Sequence, residues 1–217
     1  MSNIWKAAKL DFALIKSYSR TMAIMIVWPV IIVAINRSLY SGISFAMCFV
    51  SITASYPFSI AEKNSMERFY GILPVRKSSL VIGRYVYVIL LGLTTLIFSL
   101  IAHSFVLRMM GETVQFIDIA AASVMGIFLF TFFTVFQLPG FYKYGTIKGR
   151  IFIYVPVVGL LGIMFLLSKL PASIQESLDI VIDSSPALLA VLFIAVVAAM
   201  YMISIMVSVR IFKNKEM

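Results

Sequence analysis

His103 and Cys48 are the only histidine and the only cysteine in this chain, and nine carboxylates complete the side chains able to hold a metal or serve acid–base chemistry. A metal centre inside a membrane needs several His, Asp, Glu or Cys ligands converging on one ion. His103 lies late in an apolar run, near one face of the membrane, and reads as a hydrogen-bonded packing or interfacial residue. Cys48 sits inside another apolar run and reads as a small packing residue, with no second thiol for an internal disulfide. No carboxylate is central to an apolar run, where a proton- or sodium-coupled carrier usually keeps one. Asp118 comes nearest, at the start of such a run, where a carboxylate complements the positive end of a helix. Nothing matches G-x-x-x-x-G-K-[ST], and Gly145–Arg150 has neither that spacing nor a preceding soluble strand. The chain is therefore expected to be no enzyme, to need no metal or cofactor, and to hydrolyse no ATP alone. Any ATP-driven work requires a second polypeptide docked on it.

The segment best suited to such docking is Ala61–Arg84. Glu62, Lys63, Glu67 and Arg68 alternate in sign around Asn64, while Met66, Phe69, Tyr70, Ile72 and Leu73 supply apolar anchors before Pro74 stops a helix. A short helix with aromatic anchors and mixed charges fits a partner's groove. Read on physics alone, the same residues also suit a solvated connector with interfacial aromatics.

Helices must position this loop, and composition says what surrounds them. The 217 residues are 62% hydrophobic and 12% charged, with a mean hydropathy of +1.03, so much of the surface must face lipid. The net charge of +9 does not indicate nucleic acid, because Lys and Arg fall between apolar runs rather than on one solvated face. A spanning helix needs about 20 apolar residues. Such runs lie near Thr21–Asn36, Leu39–Ile60, Val81–Leu107, Phe116–Leu138, Ile151–Leu167 and Ala187–Val209, the first and fifth being short. An all-α polytopic membrane protein with six transmembrane helices follows, as a single domain over 1–217.

Orientation follows from charge, since short basic loops stay in the cytoplasm. One side holds Lys6, Lys9, Lys16, Arg20, Lys63, Arg68, Arg76, Lys77, Arg84, Lys143, Lys148, Arg150, Arg210, Lys213 and Lys215; the other holds only Arg37, Arg108 and Lys169. Both termini are thus expected in the cytoplasm, and an odd number of spans would break the pattern. Within 1–20, Lys6, Lys9, Lys16 and Arg20 form one helical stripe opposite Ile4, Trp5, Ala8, Phe12 and Ile15, which suits an interfacial helix. It serves either as a plain anchor or as an elbow packed beneath the bundle. No signal-peptide cleavage pattern follows, so the first apolar run is expected to stay as an anchor. Ser185 suits the N-cap and Pro186 the first position of the last span, and Leu170–Ile182 suits a short external amphipathic helix.

Glu62-Lys63-Asn64, Leu73-Pro74-Val75-Arg76-Lys77 and Gly83-Arg84-Tyr85 resemble the second cytoplasmic loop of type 2 ABC exporter membrane subunits, in particular the small permeases related to phenol-soluble modulin exporters and bacteriocin-immunity transporters. The layout resembles theirs over nearly the whole chain; Phe69-Tyr70-Gly71-Ile72 is more hydrophobic than their usual Leu- and Ser-containing stretch. The resemblance implies a coupling helix within about Glu62–Gly71, in a coupling loop over 61–79 that docks on a separate ATPase subunit. It also implies a second permease subunit, identical or not, and alternating access that moves amphipathic, membrane-active peptides out of a bacterial cytoplasm or inner leaflet. Gly42 with Ala46, Ser51 with Ser55 and Ala122 with Gly126 offer close helix approach consistent with such pairing. Pro29, Pro57 and Pro156 suit either rocking kinks or static bends. Phe128, Phe130, Phe132, Phe133 and Phe136 ring the fourth span, and Gln137 beside Pro139 is a candidate gate-side polar group. The competing reading is a membrane scaffold or immunity protein that binds a partner or peptide without transport; a secondary carrier is disfavoured by the missing intramembrane acid.

Overall fold

The structure is a computed structural model that describes residues 3–16, 19–66, 75–169 and 186–214, the side chains of 19–26, 167 and 186–188 excepted. Each apolar run becomes helix. In chain order these are α1 (Asn3–Ile15), α2 (Ser19–Asn36), α3 (Leu39–Thr53), α4 (Tyr56–Lys63), α5 (Lys77–Met109), α6 (Phe116–Gly149), a 3-10 turn (Arg150–Ile153), α7 (Tyr154–Ser168) and α8 (Pro186–Asn214). No strand occurs among the described residues. The protein is an all-α polytopic membrane protein. Among the described residues the helical stretches long and apolar enough to cross a membrane are Leu39–Lys63, Lys77–Met109, Phe116–Leu166 and Leu189–Asn214, with Val27–Asn36 a shorter apolar helix.

The stretch Phe116–Leu166 is two antiparallel segments. Gly145 takes φ 73° and ψ −174°, a conformation that L side chains rarely adopt, and the chain reverses there. Tyr144 then stacks on Phe152, with ring centroids 5.4 Å apart, and Gly159 comes back beside the Phe132 ring. The returning α7 has 15 residues, about 22 Å of helix, and the 3-10 turn adds about 8 Å, which together match a hydrocarbon core of about 30 Å. The short fifth run, Ile151–Leu167, gains reach because its first residues are wound as 3-10 helix, with a larger rise per residue.

The second run also has internal structure. Pro57 has no N–H to give Thr53, and backbone hydrogen bonds tighten to i→i−3 at Ser55 and Phe58, so α3 and α4 meet at a bend. The hydroxyls of Ser51, Thr53 and Ser55 donate back to Cys48, Val50 and Ile52 carbonyls on the same stretch. Pro156 lies in the first turn of α7, where its missing N–H costs little, and Pro29 sits inside an unbroken α2.

α3 packs on α2, α5 and α6; α8 lies against α5 and α6; α7 packs against α6; and α1 crosses the start of α5 and the end of α4. The core is built from Ile43, Met47, Val88, Leu96, Phe130, Leu138 and their neighbours. The small residues serve this packing. A Cβ at Gly42 would collide with Val33 and with the His103 ring, and one at Gly126 would lie 2.7 Å from Ile43 Cγ2. Ala46 and Ala122 are buried. The close helix approach that these small residues offer is used here between helices of one chain. Of the aromatics on α6, Phe130 and Phe133 are buried, whereas along one side Phe128 stacks on Phe132 and Phe132 meets Phe136 edge-on.

Candidate functional site: the basic end of the bundle

The helices have two chemically different ends. At one, Arg37 and Glu112 form an exposed pair at 3.5 Å, joining the connector after α2 to that after α5. Asp118 caps α6 there, accepting the Gln115 N–H at 3.0 Å while the Gln115 side chain accepts from the Asp118 backbone. At the other end α1, the end of α4, the start of α5, the turn after α6 and the end of α8 converge.

The convergence is organised by an ion pair. Arg84 Nε and Nη2 donate to Asp11 Oδ2 and Oδ1, each at 3.1 Å, and the two side chains are only 9% and 4% exposed. Two parallel bonds of this kind fix both groups in plane. The guanidinium carbon lies 4.3 Å from the centre of the Phe58 ring and 6.0 Å from that of Tyr142, so α4 and α6 supply an aromatic box for a cation from α5. Tyr142 in turn meets Phe212 of α8 at 5.5 Å. Small residues admit α1 to this site: Ala7 and Ala8 are buried against Gly83, where a Cβ would lie 2.5 Å from Ala7 Cβ and 2.8 Å from the Ile4 carbonyl oxygen. α1 is therefore packed across the basic end of the bundle. Its buried face is Ala7, Ala8, Asp11 and Ile15, while Trp5 and Phe12 stay partly exposed.

Glu62 ties a second pair of elements together. The reversal at Gly145 leaves the Thr146 N–H without a helical acceptor, and Glu62 Oε2 takes it at 2.8 Å. A cavity of about 50 Å³ lies between the two ties, bordered by Asp11, Glu62, Arg84, Tyr142, Gly145 and Thr146. Among the candidate docking residues, Glu62 and Lys63 form the last turn of α4. Asn64 caps it, with Nδ2 donating to the Ile60 carbonyl at 2.9 Å. Ser65 follows at φ 49°, ending that helix before the segment that carries the aromatic anchors. Met66 is half-buried. Glu67, Arg68, Phe69, Tyr70, Leu73 and Pro74 lie outside the described residues, as do Ser185 and Leu170–Ile182.

A polar seam runs inward from Arg84. Pro139 cannot donate to Val135, and Ser204 Oγ of α8 donates to that freed carbonyl at 2.8 Å. Tyr85 OH lies 2.6 Å from Ser204 Oγ and 2.8 Å from Ser208 Oγ. Because the one Ser204 proton goes to Val135, Tyr85 donates to Ser204 and accepts from Ser208. Thr134 Oγ1 likewise donates to the Phe130 carbonyl and accepts from Tyr201 OH at 3.0 Å. Gln137 is fully buried, with neither amide atom hydrogen-bonded, which places it in packed interior rather than beside an open path. His103 is buried, and its Nδ1 has no partner. Among the described residues no three His, Cys, Asp or Glu side chains gather as a metal site.

Sequence reasoning passed over Asp11, Ser204 and Ser208. A lone acid on the face of α1 opposite its lysines, among Ala8 and Ile15, and two serines four apart in an otherwise apolar helix, were the signals for them. Against known proteins, a family model described as ABC-2 family transporter protein matches residues 8–213; no curated protein and no solved structure matches the chain.

Proposed function

The chain belongs to the ABC-2 transporter family, and from this premise we propose that it is the permease of an ATP-driven exporter of amphipathic, membrane-active peptides. Its family makes it the membrane component of an ABC transporter, a non-catalytic part that works with an ATPase subunit. The basic end faces the cytoplasm of a bacterial cell, by the rule that short cationic connectors stay inside, and both termini lie there. The ATPase docks on Glu62, Lys63, Asn64, Met66, Glu67, Arg68, Phe69, Tyr70, Leu73 and Pro74. Two permeases, identical or not, pair around the pathway, and closure of the ATPase subunits rocks them.

The observation that carries this reading is the double anchorage of the basic end. Glu62 binds the turn after α6 through Thr146, and Arg84, at the far end of the same loop, binds Asp11 inside the aromatic box. A force applied to that loop therefore reaches α1, α4, α5, α6 and α8 together. The peptide cargo rests on the resemblance of the loop motifs, and on a bundle side that is apolar and open to the bilayer along α7 and α8.

The test is co-purification from the native host with quantification of ATPase activity. An ATPase subunit should accompany the wild-type chain, and Phe69→Ala should lower its transport-stimulated hydrolysis at least about tenfold, the scale of a lost interface hot spot. Recovery of the chain with no ATPase, or hydrolysis indifferent to Phe69, would favour the non-transporting scaffold. Peptide flux that survives ATP depletion and follows a pH gradient would favour a secondary carrier.

A further inference from the structure

A groove of about 470 Å³ runs between α6 and α8 on the outside of the bundle, lined by Val135, Pro139, Phe152, Ile203, Val207 and Ile211. That volume lies within the roughly 300–1,000 Å³ of small-ligand sites. Along α6 it extends from Val135 to Tyr144, nine residues or about 14 Å at 1.5 Å per residue, which is close to half of a hydrocarbon core of about 30 Å. Its walls match one leaflet in depth and in polarity.

Its mouth is cationic. Lys143 lines the groove at the basic end, with Nζ 5.1 Å from the centre of the Tyr144 ring. The turn that follows carries Lys148 and Arg150, and α8 carries Arg210 and Lys213 on either side of Ile211 and Phe212; all of these cations are exposed. The ion pairs among the described residues are Arg37–Glu112 and Arg84–Asp11, so this group has no acidic partner there. An apolar slot one leaflet deep, ending under exposed lysine and arginine, is complementary to an acyl chain joined to a phosphate.

We propose that the groove between α6 and α8 binds one anionic phospholipid of the leaflet on the basic side, its acyl chain along Pro139, Phe152 and Val207 and its headgroup phosphate on Lys143. The lipid covers the apolar edge beside Ser204 and so shields the seam from Val135 to Ser208. The inference needs only that the chain is embedded in a bilayer; it holds whether or not an ATPase is coupled to the loop.

Full-length protein in mild detergent is mixed with phosphatidylglycerol and phosphatidylcholine of equal chain length, and retained lipids are counted by native mass spectrometry. Wild type should retain phosphatidylglycerol in about fivefold preference, the scale of one basic residue against an anionic headgroup. Lys143→Gln, a change to an exposed side chain, should abolish the preference, and Lys9→Gln on α1 should leave it intact. Val207→Trp should expel both lipids while the protein elutes as the wild type does; should that variant aggregate, the paired Lys143 and Lys9 results decide. Equal retention of the two lipids by wild type, or unchanged preference in Lys143→Gln, overturns the proposal. So does a dimer that Val207→Trp converts to monomer, which gives the groove to a second copy, or displacement of retained lipid by an added amphipathic peptide at equimolar concentration, which gives it to cargo.

Discussion

Each end of the bundle holds one ion pair among the described residues, and the two pairs teach opposite lessons about what a charge can do in this molecule. Arg37 and Glu112 meet at 3.5 Å with side chains 62% and 43% exposed. Water and salt screen such a pair, and exposed pairs contribute about 0–1 kcal/mol. Arg84 and Asp11 meet through two bonds with almost no exposure, under an aromatic ring. Their worth lies less in net attraction than in the penalty for breaking them, because the survivor is left charged and buried. The sparse end closes two connectors; the basic end locks helices together.

That contrast is open to direct attack. The largest effect is expected from Asp11→Ala or Arg84→Ala, each costing about 3–5 kcal/mol by stranding the partner charge, read as a drop in the thermal midpoint of the purified protein. The double change to apolar residues should recover part of the loss, and additive losses would show that the two do not act as a pair. Next, Gly83→Leu pushes a side chain into Ala7 and the Ile4 carbonyl and should cost about 1–3 kcal/mol as overpacking. It should also expose the α1–α5 junction to limited proteolysis while the ion-pair residues remain intact. Smallest, Glu112→Ala at the sparse end should move the midpoint by an amount equivalent to less than about 1 kcal/mol. A loss there as large as that of Asp11→Ala would erase the distinction.

Much of the architecture was legible from residue order. Apolar runs, two of them short, marked where the chain is helical across the bundle, though the second is split into two helices, because in lipid the backbone must satisfy itself and long apolar runs have few alternatives. Asp118 at the start of α6 was readable for the same local reason, since its partner Gln115 is three residues away. The basic end was less legible. Asp11 finds Arg84 across 73 positions, and although its place among the apolar residues of α1 sets it apart from the lysines, nothing near it in the sequence names its partner. The use of Ser204 depends on Pro139 freeing a carbonyl on a different helix, which no periodicity encodes. Small residues four apart were visible, but whether they face a neighbour in the same chain or in another is a tertiary fact, and the packing at Gly42 and Gly126 answers it.

The 73-residue separation between Asp11 and Arg84 also dictates an order of assembly. At about 5–20 residues per second, a ribosome that has made Asp11 needs roughly 4–15 s to make its partner. Throughout that interval the carboxylate of the nascent α1 has no guanidinium to meet and must stay hydrated. The contact can close only after α5 has been delivered to the membrane, so α1, made before its partner, reaches its final seat after it.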